Sequence, residues 1–209
     1  MCLDGSNGEH DTLRRGDERD GHLAVTTDGG ATAEGDFVLV GIGVTPATDF
    51  LSGVTKDDRD GGVIVDGHLS AGGDVFAAGD IAHFPDSRTG ERVRIEHWRV
   101  AQQHGRVAAR NMAGLDEPYR GVPFFWSGQF GVSIRYLGHA ADWDEVHIDG
   151  SLDDRQFIAY YLEDGDVRAA AGVGRDREMA ALHALMLAGE TPSVDEIESG
   201  IDLLARLRE

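Results

Sequence analysis

The chain has 209 residues, 41% hydrophobic and 27% charged, a balance that suits a buried core and excludes a disordered polymer. Asp and Glu number 38 against 19 Lys and Arg, so the net charge of −19 excludes a surface that attracts nucleic acid or anionic membranes. No run approaches the roughly 18 apolar residues of a membrane-spanning helix, and the single cysteine, Cys2, excludes a disulfide framework within these residues.

The cations are 18 arginines and one lysine, Lys56, and the acids are spread along the whole length. That pattern has two readings. One is solubility in a salty, halophilic-like cytoplasm, where ions screen repulsion; the other is an acidic docking face for a basic partner. Dispersal of the acids, with no acidic block, favours the first. The opening MCLDGSNGEHD has neither a cationic stretch nor an apolar h-region, so nothing in it marks export and a cytoplasmic location is expected.

In chain order, residues 1–20 are polar and Gly-rich and predict a weak, frayed start. HLAVTT (22–27) alternates as a strand does, and DGG (28–30) turns it into a hairpin with ATAEGD. Phe37, Val38, Leu39 and Val40 form a continuous apolar run, as in a parallel strand covered on both faces, and it stops at Gly41, Gly43 and Pro46. GGVIVDGHLS (61–70) and DVFAA (74–78) predict two further short strands. Residues 95–113 predict a helix with Trp98, Ala101, Gly105, Ala108 and Met112 on one stripe and Gly114 at its end.

Pro118 and Pro123 mark a linker, after which the pattern turns to strands: FFWSGQFGVSIRYLGHA, DEVHIDGS, and a hairpin turning at Asp164-Gly165. Two helices close the chain, RDREMAALHALMLAG ended by Gly189, and SVDEIESGIDLLARLR opened by Ser193 three residues before Glu196. The expected fold class is an α/β, partly Rossmann-like segment followed by an α+β domain of antiparallel sheet plus two helices. No internal repeat or low-complexity segment interrupts it.

The stretch VFAAGDIA (75–82) carries the chemistry. A strand ending in Ala77, Ala78 and Gly79 removes side-chain bulk where ligands of open α/β sheets sit, and Asp80 would accept hydrogen bonds from ligand hydroxyls. The plain alternative is a turn with Asp80 as a helix cap. Fourteen residues on, Glu96-His97-Trp98 opens a helix whose N-terminus offers free N–H groups to an electron-rich carbonyl, beside an indole that would pack on an aromatic ligand. Against that stand simple core packing for Trp98 and a first-turn polar role for His97.

Taken together, VLVGIGVTP, GGVIVD, VFAAGDIA, RIEHWRVAQQHGRVAARNMAG, PYRGVPFFWSGQFG and DEVHIDGS…FIAYYLEDGDV…AAAGV resemble the C-terminal half of FAD-dependent pyridine nucleotide-disulfide oxidoreductases of the ferredoxin-reductase and apoptosis-inducing-factor type. The resemblance runs from about residue 20 to the end. It implies that Asp80, flanked by Gly79 and Ile81, binds the ribityl chain of FAD, and that Glu96, His97 and Trp98 lie by the isoalloxazine with the helix N-terminus at its pyrimidine edge. It implies that Trp126 belongs to a C-terminal domain reaching back toward the flavin and that Gly43 lies where the chain approaches NAD(P)H. It implies three regions: 1–46 ending an NAD(P)H-binding domain, 47–117 returning to an FAD domain, and 118–209 as the reductase C-terminal and interface domain. The implied activity passes a hydride from NAD(P)H to FAD and single electrons on to a ferredoxin- or rubredoxin-like carrier.

Three departures qualify it. Pro46 is followed by Ala47 where the family carries Asn, and Gly128 stands where it carries Asp. No GxGxxG occurs, although the family holds both cofactor pyrophosphates with such fingerprints. Disulfide chemistry is a separate matter: none of the nine histidines precedes proline, so the His-Pro base of disulfide reductases is missing and disulfide reduction is not expected. The competing readings are a non-catalytic truncated fragment serving interaction or dimerisation, and a slow regulatory oxidoreductase of the apoptosis-inducing-factor sort. An uncovered 37–40 run predicts self-association, a homodimer being its simplest form, or marginal stability.

Overall fold

The structure is a computed structural model that describes residues 13–19, 21–41 and 43–208, in one unit ending at Val44 and a second running from Thr45. In the first unit, β1 (Leu13–Arg19), β2 (His22–Thr27) and β3 (Thr32–Gly35) form an antiparallel sheet in that order. The predicted hairpin is β2–β3, with Thr26 opposite Thr32 and their hydroxyls 3.2 Å apart. The frayed start is corrected over 13–19, where Gly16 pairs with Val25 and Glu18 with Leu23. Backbone pairing to the free edge of β2 orders a stretch whose side chains carry no strand pattern. The rest of that prediction, over 1–12, lies outside the described residues.

The FVLV strand is a second correction. No strand pairs with residues 37–41 among the described residues, and Phe37 and Leu39 are 80% and 89% exposed. An apolar strand covered on both faces needs neighbours, and the described chain supplies none.

In the second unit, β4 (Val63–Ile64) runs parallel to β7 (Ala82–Pro85), and β8 (Arg92–Val93) adds antiparallel to β7. VIV is thus a short strand, as predicted. DVFAA differs: β5 (Ser70–Gly72) and β6 (Val75–Phe76) form a separate hairpin, and the parallel strand follows the Gly-Asp instead of preceding it. Between them, Gly79–Ile81 makes one turn of 3₁₀-helix. A core of Val63, Val65, Leu69, Phe84, Val107 and Tyr119 packs these pieces on α1 (Trp98–Met112).

Helix α1 matches the predicted position with a different buried stripe. Val100, His104, Val107 and Ala108 face the core, while Trp98 and Met112 are mostly in solvent. The apolar spacing was shared by two adjacent faces, and the core chose the one displaced by a single residue, His104 in place of Gly105 and Val107 beside Ala108. Gly114 follows the helix at φ 87°, and the Asn111 side chain fixes the exit by donating to the carbonyls of His68 and Glu117. The expected linker is packed: Tyr119 and Val122 are buried, and the Tyr119 N–H donates to the Gly67 carbonyl at 2.8 Å.

Beyond it, β9 (Phe124–Gln129), β10 (Val132–Gly138), β11 (Glu145–Ser151), β12 (Gln156–Glu163) and β13 (Asp166–Val173) form one antiparallel sheet in the order 11-12-13-10-9. Asp164 and Gly165 both take positive φ, as the predicted β12–β13 turn demands. Helix α2 (Asp176–Ala188) covers the sheet through Met179, Leu182, Leu185 and Met186, and Gly189 ends it in left-handed backbone. The last predicted helix is two. Ser193 and Glu196 cap α3 (Val194–Glu198) reciprocally, Gly200 reverses the chain at φ 79°, and Asp202 caps α4 (Leu203–Arg206). Arg88, between β7 and β8, reaches β13 of this sheet, donating to the Arg168 carbonyl at 2.8 Å.

Gly138→Ala should destabilise the fold by roughly 2–4 kcal/mol, because φ is 75° there and a Cβ would stand 2.4 Å from the Arg168 carbonyl oxygen. Gly128→Ala, in open space, should cost little in the same denaturant melt. Replacing Phe37 and Leu39 together by Ser should reduce concentration-dependent association in sedimentation; an unchanged profile removes that run as its cause.

Candidate functional site

The Gly-Asp turn and the start of α1 meet. Gly79 needs its left-handed φ of 77°, and a Cβ there would press on the Ala101 Cβ at 3.1 Å, so glycine is what lets the turn lie against the helix. Asp80 stands exposed on that turn and caps no helix. Its carbonyl accepts from Arg94 Nη1 at 3.0 Å. The same guanidinium donates to Glu96 Oε1 at 2.7 Å and, through Nε, to Asp60 Oδ2 at 2.5 Å. Burial opposes ionisation of Asp60, but the Gly62 N–H, Arg94 and His83 outweigh it and hold that carboxyl well below the usual range.

His97 takes the extended backbone of an N-cap without making a capping bond, and no acid lies in the first turn of α1. The start of the helix therefore carries no side-chain cap. The His97 Nδ1 is buried with no hydrogen-bond partner among the described residues. Burial pushes its pKa down, Arg99 adds to that, and Asp80 opposes it, so the ring is neutral at pH 7. Its centroid lies 5.7 Å from Trp98, 6.2 Å from Phe125 and 6.3 Å from Trp126, and the two indoles meet edge to face at 6.3 Å. Trp98 is 57% exposed, which rules out simple core packing for it.

Of the residues singled out in the sequence, Gly79, Asp80 and Ile81 share the turn, Glu96, His97 and Trp98 share the approach to α1, and Trp126 joins them from β9. Gly43 belongs to the first unit, in left-handed backbone at φ 83°. The sequence reading missed Arg94, Asp60, Phe124 and Phe125. Alternation of Arg92, Arg94 and Glu96 on one side of an extended segment was a signal for Arg94. Its partner 34 residues away was not visible. The face is open: the clefts of about 520 and 500 Å³ elsewhere in the second unit are lined by none of these residues.

An exposed carboxylate, an uncapped helix end, a neutral imidazole and a paired-indole platform form a surface suited to a long ligand with hydroxyls at one part and an aromatic system at another. The family described as pyridine nucleotide-disulphide oxidoreductase matches residues 10–105, and the one described as reductase C-terminal matches 124–206. The chain belongs to the pyridine nucleotide-disulphide oxidoreductases that carry this reductase C-terminal region. It is 36% identical over 167 residues to apoptosis-inducing factor 3 of Homo sapiens, covering 78% of this chain and 27% of that protein. It is 34% identical over 179 residues to the ferredoxin–NAD(+) reductase component of an anthranilate 1,2-dioxygenase system from Burkholderia cepacia, covering 85% of this chain and 44% of that one.

Among solved structures, a ferredoxin reductase from Rhodopseudomonas palustris is similar with a TM-score of 0.78 and 26% identity, over 89% of this chain and 46% of that one. A putidaredoxin reductase in covalent complex with putidaredoxin shares the fold at a TM-score of 0.82 and 22% identity, over 95% of this chain and 48% of the other. The chain thus spans less than half the length of these proteins. The fold class read from the sequence, a partial Rossmann-like segment followed by the reductase C-terminal domain, is the one found.

Because Asp80 raises the His97 pKa against burial and Arg99, Asp80→Asn should lower the His97 titration midpoint further. A two-dimensional NMR titration of the imidazole Cε1–H checks it; a midpoint that does not fall separates the two side chains.

Proposed function

We propose that this chain supplies the ribityl- and isoalloxazine-facing part of an FAD-dependent NAD(P)H oxidoreductase that passes electrons to a ferredoxin- or rubredoxin-like carrier. The observation that carries the reading is the convergence of Asp80, His97, Trp98 and Trp126 at the uncapped start of α1. The residues fit the group: His97 presents a buried nitrogen without a hydrogen-bond partner among the described residues, and Gly79 adds no side chain to the approach. The names of the similar reductase components support the carrier class.

FAD, when bound, would supply two-electron acceptance from a nicotinamide and one-electron release. In this reading Asp80 accepts hydrogen bonds from the ribityl hydroxyls and so fixes the ligand along the turn. Arg94 holds the Asp80 backbone and Glu96 in register, which keeps the turn and the helix start at a constant spacing. The α1 N-terminus stabilises negative charge placed at it, typically by about 0.3–1 kcal/mol. Neutral His97 adds no charge of its own, and Trp98 and Trp126 exclude water from one side. Glycine at position 79, small residues at 77 and 78 and Ile81 leave the backbone approachable, and Gly43 is read as part of the NAD(P)H approach.

We read residues 1–46 as the end of an NAD(P)H-binding domain, 47–117 as an FAD-domain return segment and 118–209 as the interface domain. The location is read as cytoplasmic and the assembly as a homodimer; no described helix is long and apolar enough to cross a membrane. A second reading, an interaction fragment that binds no cofactor, draws on the exposed Phe37, Leu39 and Phe130.

FAD titration followed by flavin fluorescence separates the two. Saturable quenching is expected, weakened about tenfold or more in Asp80→Ala, as for a lost hydrogen bond to a charged group. A flat trace with the unmutated chain favours the interaction fragment.

A further inference from the structure

His104 lies wholly buried on α1, one turn from the helix residue that touches Gly79. The Gly79 N–H donates to its Nδ1 at 3.2 Å. A donor at that nitrogen requires it to be unprotonated, so the neutral ring carries its proton on Nε2. That second nitrogen has no hydrogen-bond partner among the described residues. The ring is instead boxed by Phe84 and Tyr119, at centroid distances of 4.5 and 4.4 Å and nearly perpendicular to both. Burial pushes the His104 pKa down to about 4, so the lone pair on Nδ1 is available throughout the neutral range.

Ala101 and His104 are three residues apart and share one face of α1. Both act on the same peptide: the Ala101 methyl limits how close Gly79 comes, and the imidazole holds it there. The turn itself is a single turn of 3₁₀-helix with no side-chain cap at Ala78, so little local bonding sets its direction. We infer that His104 is a positioning residue, whose unprotonated Nδ1 latches the Gly79 peptide to α1 and thereby fixes the direction in which Asp80 leaves the turn. The latch stands on the geometry alone; that it serves a hydroxyl-bearing cofactor rests on the function proposed above.

A histidine that only fills space gives different results from one that accepts a bond. Phe at 104 keeps an aromatic ring in the box but offers no acceptor, whereas Asn smaller in volume keeps an acceptor branching from the same carbon as Nδ1. In His104→Phe the Gly79 amide should exchange with solvent about tenfold faster than in the unmutated chain, while His104→Asn should stay within roughly threefold of it. Nitrogen-15 NMR of the unmutated chain at pH 7 should show Nδ1 unprotonated and Nε2 protonated. The FAD dissociation constant should follow the exchange data, weakened in His104→Phe and restored in His104→Asn.

A proton on Nδ1, or an unchanged Gly79 exchange rate in His104→Phe, overturns the latch. If His104→Phe does not fold, the nitrogen spectrum of the unmutated chain and the Gly79 exchange in His104→Asn still decide it. Should the unmutated chain bind no FAD while the exchange and nitrogen results hold, the latch stands and the flavin reading falls. Should it bind FAD with equal affinity in all three, the flavin reading stands and the positioning role falls.

Discussion

The Arg94 guanidinium carries the geometry on which the rest of the site depends. It is largely withdrawn from solvent and reaches Asp60, the carbonyl of Asp80 and the carboxylate of Glu96 at once. These groups come from the loop before β4, the turn after β6 and the stretch between β8 and α1, segments with no ladder bonds to one another. A partly buried charge of this kind stabilises little in net terms, since desolvation offsets most of its attraction. Its effect is specificity: with Asp60 held ionised by its surroundings, any other arrangement strands one of the two charges. Helix α1 supplies the opposing wall, through Ala101 at the closest approach and the aromatic rings of the first turn. What results is a carboxylate and an indole set at a spacing that the fold decides before any ligand arrives.

How far this was legible in the sequence varies by element. The hairpin at Asp164-Gly165, the Ser193–Glu196 capping box and the end of α1 at Gly114 are local devices, written in residues that lie within a few positions of one another. They were read correctly. The buried stripe of α1 was not, because Trp98 and Met112 share a spacing with Val100, Val107 and Ala108, and only the position of Phe84 and Tyr119 decides between the two faces. The strand at 37–40 failed for a related reason: apolar content says that a segment wants cover and is silent about whether cover exists. DVFAA was assigned to the wrong sheet, since a two-residue ladder leaves no periodicity to read.

At the site, order along the chain was informative and distance was not. Gly79, Asp80, His97 and Trp98 were singled out from the order of the Gly-Asp turn and the Glu-His-Trp helix start, and the structure brings that turn and that helix start together. Arg94 and Asp60 escaped because their pairing depends on a loop folding back across 34 positions. His104 escaped for the opposite reason: buried in the middle of a helix, it looked like any polar residue on a turn. Its meaning lies in the one amide it faces.

The near-exclusive use of arginine has a consequence for chemistry done to this surface. Arg88, Arg94, Arg135 and Arg175 stand at joints between segments, whereas the lone lysine, Lys56, donates to a nearby backbone carbonyl at 2.6 Å. Guanidinium groups keep their proton in strongly alkaline solution and are not substrates for the acylation that neutralises amines. The charged seams of this fold are therefore closed to lysine acetylation, and a reagent that modifies amines would find no cross-segment joint to open.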